Sequence, residues 1–203
     1  MARSDRRPRT RLDPDSRRAA LLDAAAQAFA ARPYDQVTLA SIAQAAGAST
    51  PLLYRYFPSK EELYAAVVRL ALEDLAQRQR AALQALPDGV PARDRLRATT
   101  LVYLDHIADH PDAWAMPLRQ PGLEPAAAVA LRIDARTADV AHLSDLLAPS
   151  AHARHDYALW GYFGFLDAAC LRWVEKGYPE DERWSLLDSA LGALEGALGD
   201  WAA

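Results

Sequence analysis

The 203-residue sequence predicts an all-α protein of about nine helices: a small three-helix N-terminal domain and a larger helical C-terminal domain. Three observations carry this. Glycine is scarce, at nine residues, and strong helix formers dominate. Half of the chain is apolar, 51%, and no stretch alternates apolar and polar residues long enough to read as a strand. Charge is split: residues 1–60 hold ten Lys and Arg against five Asp and Glu, a surplus of +5, which leaves −9 on the remainder of a chain whose total is −4. A basic head on an acidic body points to a polyanion partner for the head alone.

The elements follow from their punctuation. Residues 1–14 contain Arg3, Arg6, Arg7, Arg9 and Arg11 with two prolines and almost nothing apolar, the composition of a disordered basic arm. Asp15 or Ser16 is expected to cap a first helix running to about Ala31, with Ala20, Leu21, Ala24, Ala25, Ala28 and Phe29 on one side. Thr38 caps a second helix, Leu39 to Ala46, and Gly47 ends it. Ser49 caps a third that reaches Tyr56, and Pro58 forbids its continuation. Ser59 with Glu62 three residues on forms a capping box for a fourth helix, to about Leu83. Beyond the Pro87-Asp88-Gly89 turn, a fifth helix spans about Ala92 to Asp109, then a short piece Trp114 to Leu118. Pro125 is expected as the first residue of the next helix, ending near Leu147. A long helix from about His152 to Lys176 stops at Gly177 and Pro179, and Glu180-Asp181-Glu182 suits the dipole of the last helix.

The segment Thr38 to Lys60, TLASIAQAAGASTPLLYRYFPSK, has the spacing of a helix-turn-helix. Ile42, Ala46, Ala48 and Leu53 are apolar where two crossed short helices must meet, Ala43 is small where their backbones come closest, and Gly47 sits where the turn needs a positive φ.

With those residues in place, the sequence resembles the TetR family of transcriptional regulators. Leu53 to Lys60, LYRYFPSK, is similar to that family's recognition-helix ending and the start of its connecting helix, and the resemblance is specific over about residues 16–65. Trp173 to Pro179 and Ala190 to Leu194 are similar to C-terminal segments of some members. The resemblance implies a helix-turn-helix DNA-binding domain over 15–60 and a ligand-binding and dimerisation domain over 61–203. It implies that Thr38 and Ser49 hold phosphates, that Thr50, Pro51, Leu52 and Tyr54 face the major groove, and that Tyr56 and Lys60 bind the DNA backbone. Arg55, the only charge on the recognition helix, would read guanine or clamp a phosphate, and Arg17 would touch the flanking backbone. Thr50 and Leu52 depart from the usual pattern, where a longer and a smaller polar residue are common, which shifts readout toward thymine methyls and DNA shape.

Such motifs read two half-sites of a palindromic operator on double-stranded DNA, so a homodimer is expected. Trp184, Leu187, Leu191, Leu194, Leu198 and Trp201 form a stripe on the last helix, and Gly161, Gly164 and Ala168 mark the preceding one. Together they suggest a four-helix interface, with burial inside one chain as the alternative and both contacts expected. Members of the family hold a small-molecule effector in an apolar cavity, and the residues placed to line one are Tyr103, His106, Ile107, Trp114, Met116, Trp160, Phe163, Asp167 and Cys170. Asp167 in an apolar stripe requires a partner, either a ligand or an internal Arg or Trp.

The function implied is a ligand-responsive regulator, most often a repressor, with an effector-independent activator or partner-controlled regulator as the alternative. No nucleophile stands beside a base and no Gly-rich phosphate loop occurs, so an all-helical enzyme is the remote reading. The His106/His110 and His152/His155 pairs lack the further ligands a metal site needs, and no cofactor is expected. Lone Cys170 reads as a small buried hydrophobe. No stretch approaches a membrane span, and Ser16-Arg17-Arg18 lacks the apolar run of an export signal, so a cytoplasmic protein is expected.

Overall fold

A computed structural model describes residues 13–199. Trp201 and nearly all of the expected basic arm lie outside the described residues, which form nine α-helices and two single 3₁₀ turns and contain no strand. No helix among them is long and apolar enough to cross a membrane.

Helix α1 spans Pro14–Ala31. Its cap is Asp13, not Asp15 or Ser16: the Asp13 carboxylate accepts the backbone N–H of Asp15 and of Ser16 at 3.0 Å. A carboxylate followed by proline at the first helical position fixes the start upstream of the two residues expected. α2 (Leu39–Ala45) and α3 (Thr50–Tyr56) start as expected, with Thr38 Oγ1 accepting from Ser41 N at 3.2 Å and Ser49 Oγ accepting from Leu52 N at 3.3 Å. Between them Gly47 takes φ +60°, and Ala48 N donates to Ala43 O at 2.8 Å. α4 (Lys60–Gln84) opens on Ser59, whose Oγ accepts from Glu62 N at 3.1 Å.

In the second half, α5 spans Ala92–Asp109 and α6 Pro111–Arg119. α6 starts earlier than the expected Trp114 because Pro111 suits a first helical turn, so the chain re-enters a helix directly after His110. α7 covers Ala126–Leu146 with Pro125 in the capping position, one residue outside the helix it was expected to begin. α8 (Ala153–Glu175) ends at Gly177, φ +82°, and α9 spans Arg183–Leu198.

Two apolar cores result. In the first, Leu21, Leu22, Ala25 and Phe29 of α1 meet Ile42 and Ala43 of α2 and Leu53 and Phe57 at α3. Leu63, Tyr64 and Val68 from the start of α4 and Ala128 from α7 close it. In the second, Leu104 and Ile107 of α5 pack on Tyr162, Leu166 and Cys170 of α8 and on Leu187, Leu191 and Leu194 of α9. Each fully buried leucine contributes about 1.5–3 kcal/mol of transfer free energy. Thr100 is the one buried polar residue among those described. It is satisfied by donating to Leu96 O at 2.8 Å and by a 2.9 Å bond with the Tyr162 hydroxyl.

The turn at Gly47 has open space around its Cα, so a side chain there meets no neighbour and only the backbone conformation resists it. Gly47→Ala is therefore expected to destabilise the head by about 1–2 kcal/mol, the cost of a left-handed L-residue. Denaturant unfolding of the parent and variant measures this.

Candidate nucleic-acid interface and internal cavity

α3 lies on the outside of the first core. Leu53 is fully buried and Phe57 nearly so, which anchors the helix. Pro51, Tyr54 and Arg55 are exposed, Tyr54 to 50%, and Thr50, Leu52 and Tyr56 are partly so. Helical spacing puts Leu53 inward and Pro51, Tyr54 and Arg55 outward, so the protein presents a mixed polar and apolar face there, while Tyr56 also packs against the first core. Thr38 and Ser49 use their oxygens as caps, while their exposed hydroxyl protons stay available to an outside acceptor. Arg17 is half-buried. Lys60 does not extend outward: its Nζ sits 4.2 Å from the centroid of the Tyr34 ring, and burial lowers its pKa. Arg18, which the sequence reading passed over, stands over Phe57 at 5.2 Å.

The head is tied to the rest of the chain at one polar junction. Tyr64 of α4 stacks edge-on against Phe29 and Tyr34 and donates its hydroxyl to Glu124, in the loop before α7. Glu124 also accepts from Arg132 of α7 through Nε at 3.1 Å and Nη2 at 3.1 Å. Its side chain is only 9% exposed, so a carboxylate there needs both partners. Burial and the neighbouring carboxylate push the Tyr64 hydroxyl well above its ordinary value.

Behind this junction opens a cavity of about 1090 Å³ between α4, α5, α6, α7 and α8, with the end of α1 at its edge. Of the residues expected to line it, Tyr103, His106, Trp114, Met116, Trp160, Phe163 and Asp167 do. Ile107 and Cys170 do not: both are fully buried and pack into the second core, where neighbouring side chains fill the space beside them. Burial also raises the Cys170 thiol, which leaves it an inert apolar filler.

Asp167 has internal partners. Tyr103 donates to its Oδ1 at 2.9 Å and Arg136 Nη2 to its Oδ2 at 2.8 Å, while Trp114 Nε1 donates to the Tyr103 hydroxyl at 2.8 Å. The Arg136 guanidinium also stacks over Phe163, 4.5 Å from the ring centroid. Sequence reasoning missed the α7 side of the cavity. Arg132, Arg136, Asp139 and Leu143, three and four apart, form one inward stripe, and charged residues at that spacing read as a solvated face until the packing is known. No group of three or more His, Cys, Asp or Glu among the described residues could hold a metal ion.

The face expected to meet a second subunit divides. Leu187, Leu191 and Leu194 are fully buried against α5 and α8 of their own chain, and Leu198 packs beside them, so that stripe is used internally. Periodicity identified the buried face of α9 but not what buries it. Gly161, Gly164, Ala168 and Trp184 are exposed, as are Tyr157 at 75% and Phe165 at 40%.

Comparison with known proteins bears on this arrangement. A family model described as bacterial regulatory proteins, tetR family, matches residues 21–67. The HTH-type transcriptional regulator BetI of Burkholderia pseudomallei (strain K96243) is 30% identical over 176 residues, spanning 84% of this chain and 88% of BetI. The HTH-type transcriptional activator FasR of Mycolicibacterium smegmatis is 41% identical over 97 residues, 48% of this chain; the match spans 43% of FasR, less than half of that relative's length. A tetR-family transcriptional regulator from Streptomyces coelicolor superposes with a TM-score of 0.73 at 26% identity, over 92% of this chain and 80% of that one. A TetR-like regulator from Rhodococcus sp. RHA1 superposes with a TM-score of 0.75 at 25% identity, over 94% of this chain and all, 100%, of that one.

Within the cavity wall, burial foremost, then His110 and Arg78, depress His106 to about 4 from the ordinary 6.5. Arg78 donates to its Nδ1 at 3.3 Å, which requires the neutral ring. The unfolded chain takes up this proton near 6.5 and the folded chain only near 4, so the contribution is whole above 6.5 and is lost as pH falls from there toward 4. Urea unfolding in steps from pH 7 to pH 4 is expected to show His106→Gln losing less stability over that window than the parent.

Proposed function

Because the chain belongs to the TetR family of bacterial transcriptional regulators, we propose that it is a homodimeric repressor released from its operator by a small molecule. The observation that carries this reading is the cavity, whose wall includes α4, the helix that follows the recognition helix after three residues. A ligand that fills this space differently from solvent biases the position of α4, and with it the head.

On DNA, the exposed Thr50, Pro51, Leu52, Tyr54 and Arg55 enter the major groove, with Thr38, Ser49 and Tyr56 on phosphates beside it. Arg17 supports the flanking backbone. Lys60 reaches a phosphate by leaving the Tyr34 ring, exchanging one cation contact for another. Two heads joined through the exposed faces of α8 and α9 present their recognition helices to successive major grooves of a palindromic site, about 34 Å apart. A protein that works on the chromosome in this way acts in the cytoplasm.

The test is a gel shift with the DNA flanking the protein's own gene. The parent is expected to give a discrete complex that weakens steeply with salt. Tyr54→Ala and Arg55→Ala are each expected to lose about 1–3 kcal/mol, roughly fivefold to a hundredfold in affinity. Gly164→Arg, on the outward face of α8, is expected to sediment as a monomer and to lose the complex while its helix content stays. If the parent forms no specific complex at low salt and a genome-wide selection of bound fragments is also empty, the regulator reading fails. A reporter that falls rather than rises when the gene is deleted marks an activator.

A further inference from the structure

On the cavity face of α5 one hydrogen-bond donor is held in place and left unused. Leu96, Thr99, Tyr103 and His106, three and four apart, line the cavity from this helix. The hydroxyls are used internally: Thr99 and Thr100 donate to Leu96 O, at 2.9 and 2.8 Å, and Tyr103 donates to Asp167 at 2.9 Å. His106 differs. Arg78 of α4 lies with its Nη2 3.3 Å from His106 Nδ1. A guanidinium only donates, so Nδ1 accepts and the proton of the neutral ring sits on Nε2. Nε2 has no hydrogen-bond partner among the described residues, and it is not one of the fully buried atoms left without one. The ring lines the cavity and Arg78 does not, so the open side of the ring, with its Nε2–H, is the cavity side.

The charges nearby favour an uncharged acceptor. Behind the ring, Arg78 also meets Asp74 at 2.7 Å and Asp109 at 3.3 Å, two carboxylates for one guanidinium. An anionic group at Nε2 would face that excess of negative charge, and a cation would face the positive end of the N–H. Elsewhere in the wall, Glu124 holds Arg132 and Asp167 holds Arg136. Arg32 and Arg80 line the cavity without an ion pair, but at exposed positions, where water solvates them. Leu75, Leu83, Trp114 and Phe163 give the same wall its apolar area.

We propose that the cavity selects an apolar molecule with an uncharged acceptor oxygen, such as a ketone or ester carbonyl, that takes the hydrogen bond from His106 Nε2, and that Arg78 positions this donor. This rests on the cavity being the effector site.

The probes are fluorenone, fluorene and fluorenecarboxylate. They share one rigid apolar frame and differ in bearing a carbonyl, no polar group or a charge. Binding is measured by equilibrium dialysis at neutral pH, and DNA release by the gel shift. The parent is expected to bind fluorenone more tightly than fluorenecarboxylate. His106→Phe is expected to lower the fluorenone-to-fluorene affinity ratio about fivefold, the net contribution of one neutral hydrogen bond. His106→Met, also without a donor, repeats the test if the ring variant does not fold. His106→Gln keeps an N–H at that place and is expected to restore most of the ratio. Arg78→Met releases the tautomer and is expected to lower the ratio with His106 still present. A ratio unchanged when the His106 donor is removed overturns the proposal and leaves the cavity reading intact. A ratio that falls there but not in Arg78→Met overturns the positioning role. Fluorenecarboxylate binding more tightly than fluorenone also overturns the ligand class, and loss of that binding in Arg80→Gln assigns the choice to the exposed arginines. If none of the three binds, both readings fall. If fluorenone binds through His106 but does not displace DNA, the ligand class stands and the effector role fails.

Discussion

Helix α4 belongs to two structures at once, and most of the molecule's behaviour follows from that. Its first three turns give Leu63, Tyr64 and Val68 to the core of the head, and its later residues, among them Leu75, Gln79 and Leu83, wall the cavity. The head's core is not closed by α1, α2 and α3 alone: Ala128 of α7 is buried in it as completely as Leu21 or Leu53. Packed interiors resist continuous deformation and shift between discrete arrangements. A change in the cavity that moves α4 or the start of α7 is therefore felt in the head.

The polar junction gives that coupling its direction. Tyr64, Glu124 and Arg132 join α4, the loop before α7 and α7 itself, and Arg136 continues one turn further to Asp167 on α8. Partly buried ion pairs of this kind add little net stability, because desolvation offsets attraction, but separating one leaves a charge without a partner, which costs much more. The pairs thus favour one relative placement of the helices and penalise intermediate ones. Aromatic stacking carries the same chain outward, from Tyr64 to Tyr34 and the Lys60 ammonium, next to the recognition helix.

What the sequence reveals and what it hides follows from how far each feature reaches along the chain. Thr38, Ser49 and Ser59 are legible because a cap acts within three residues, and Gly47 because a positive φ is a property of one residue. Asp13 is missed only because two other capping residues, Asp15 and Ser16, follow it closely and Pro14 decides between them. The cavity is half legible. Aromatic residues on α5, α6 and α8 betray it, but Arg136 and Asp139 acquire meaning only when α7 lies opposite α8, a long-range fact with no local signature. For Ile107 and Cys170, apolarity marks burial and cannot distinguish a packed core from a cavity wall.

The outward faces of α8 and α9 complete the argument. Gly161, Gly164, Gly192 and Gly196 all lie inside helices, and a Cβ added at any of them would meet nothing within 4 Å. A glycine in mid-helix costs roughly 0.5–1 kcal/mol relative to alanine. Four such costs have no return inside this chain, since its own packing would accommodate alanine at every one. They are accounted for if another helix approaches closer there than a methyl group allows, and the exposed Tyr157, Phe165 and Trp184 beside them supply the apolar area that such an approach would bury. The leucines of α9, used internally, hold the helix in register; the glycines, unused internally, leave room for a second copy of the same face, the geometry that a two-fold operator would require.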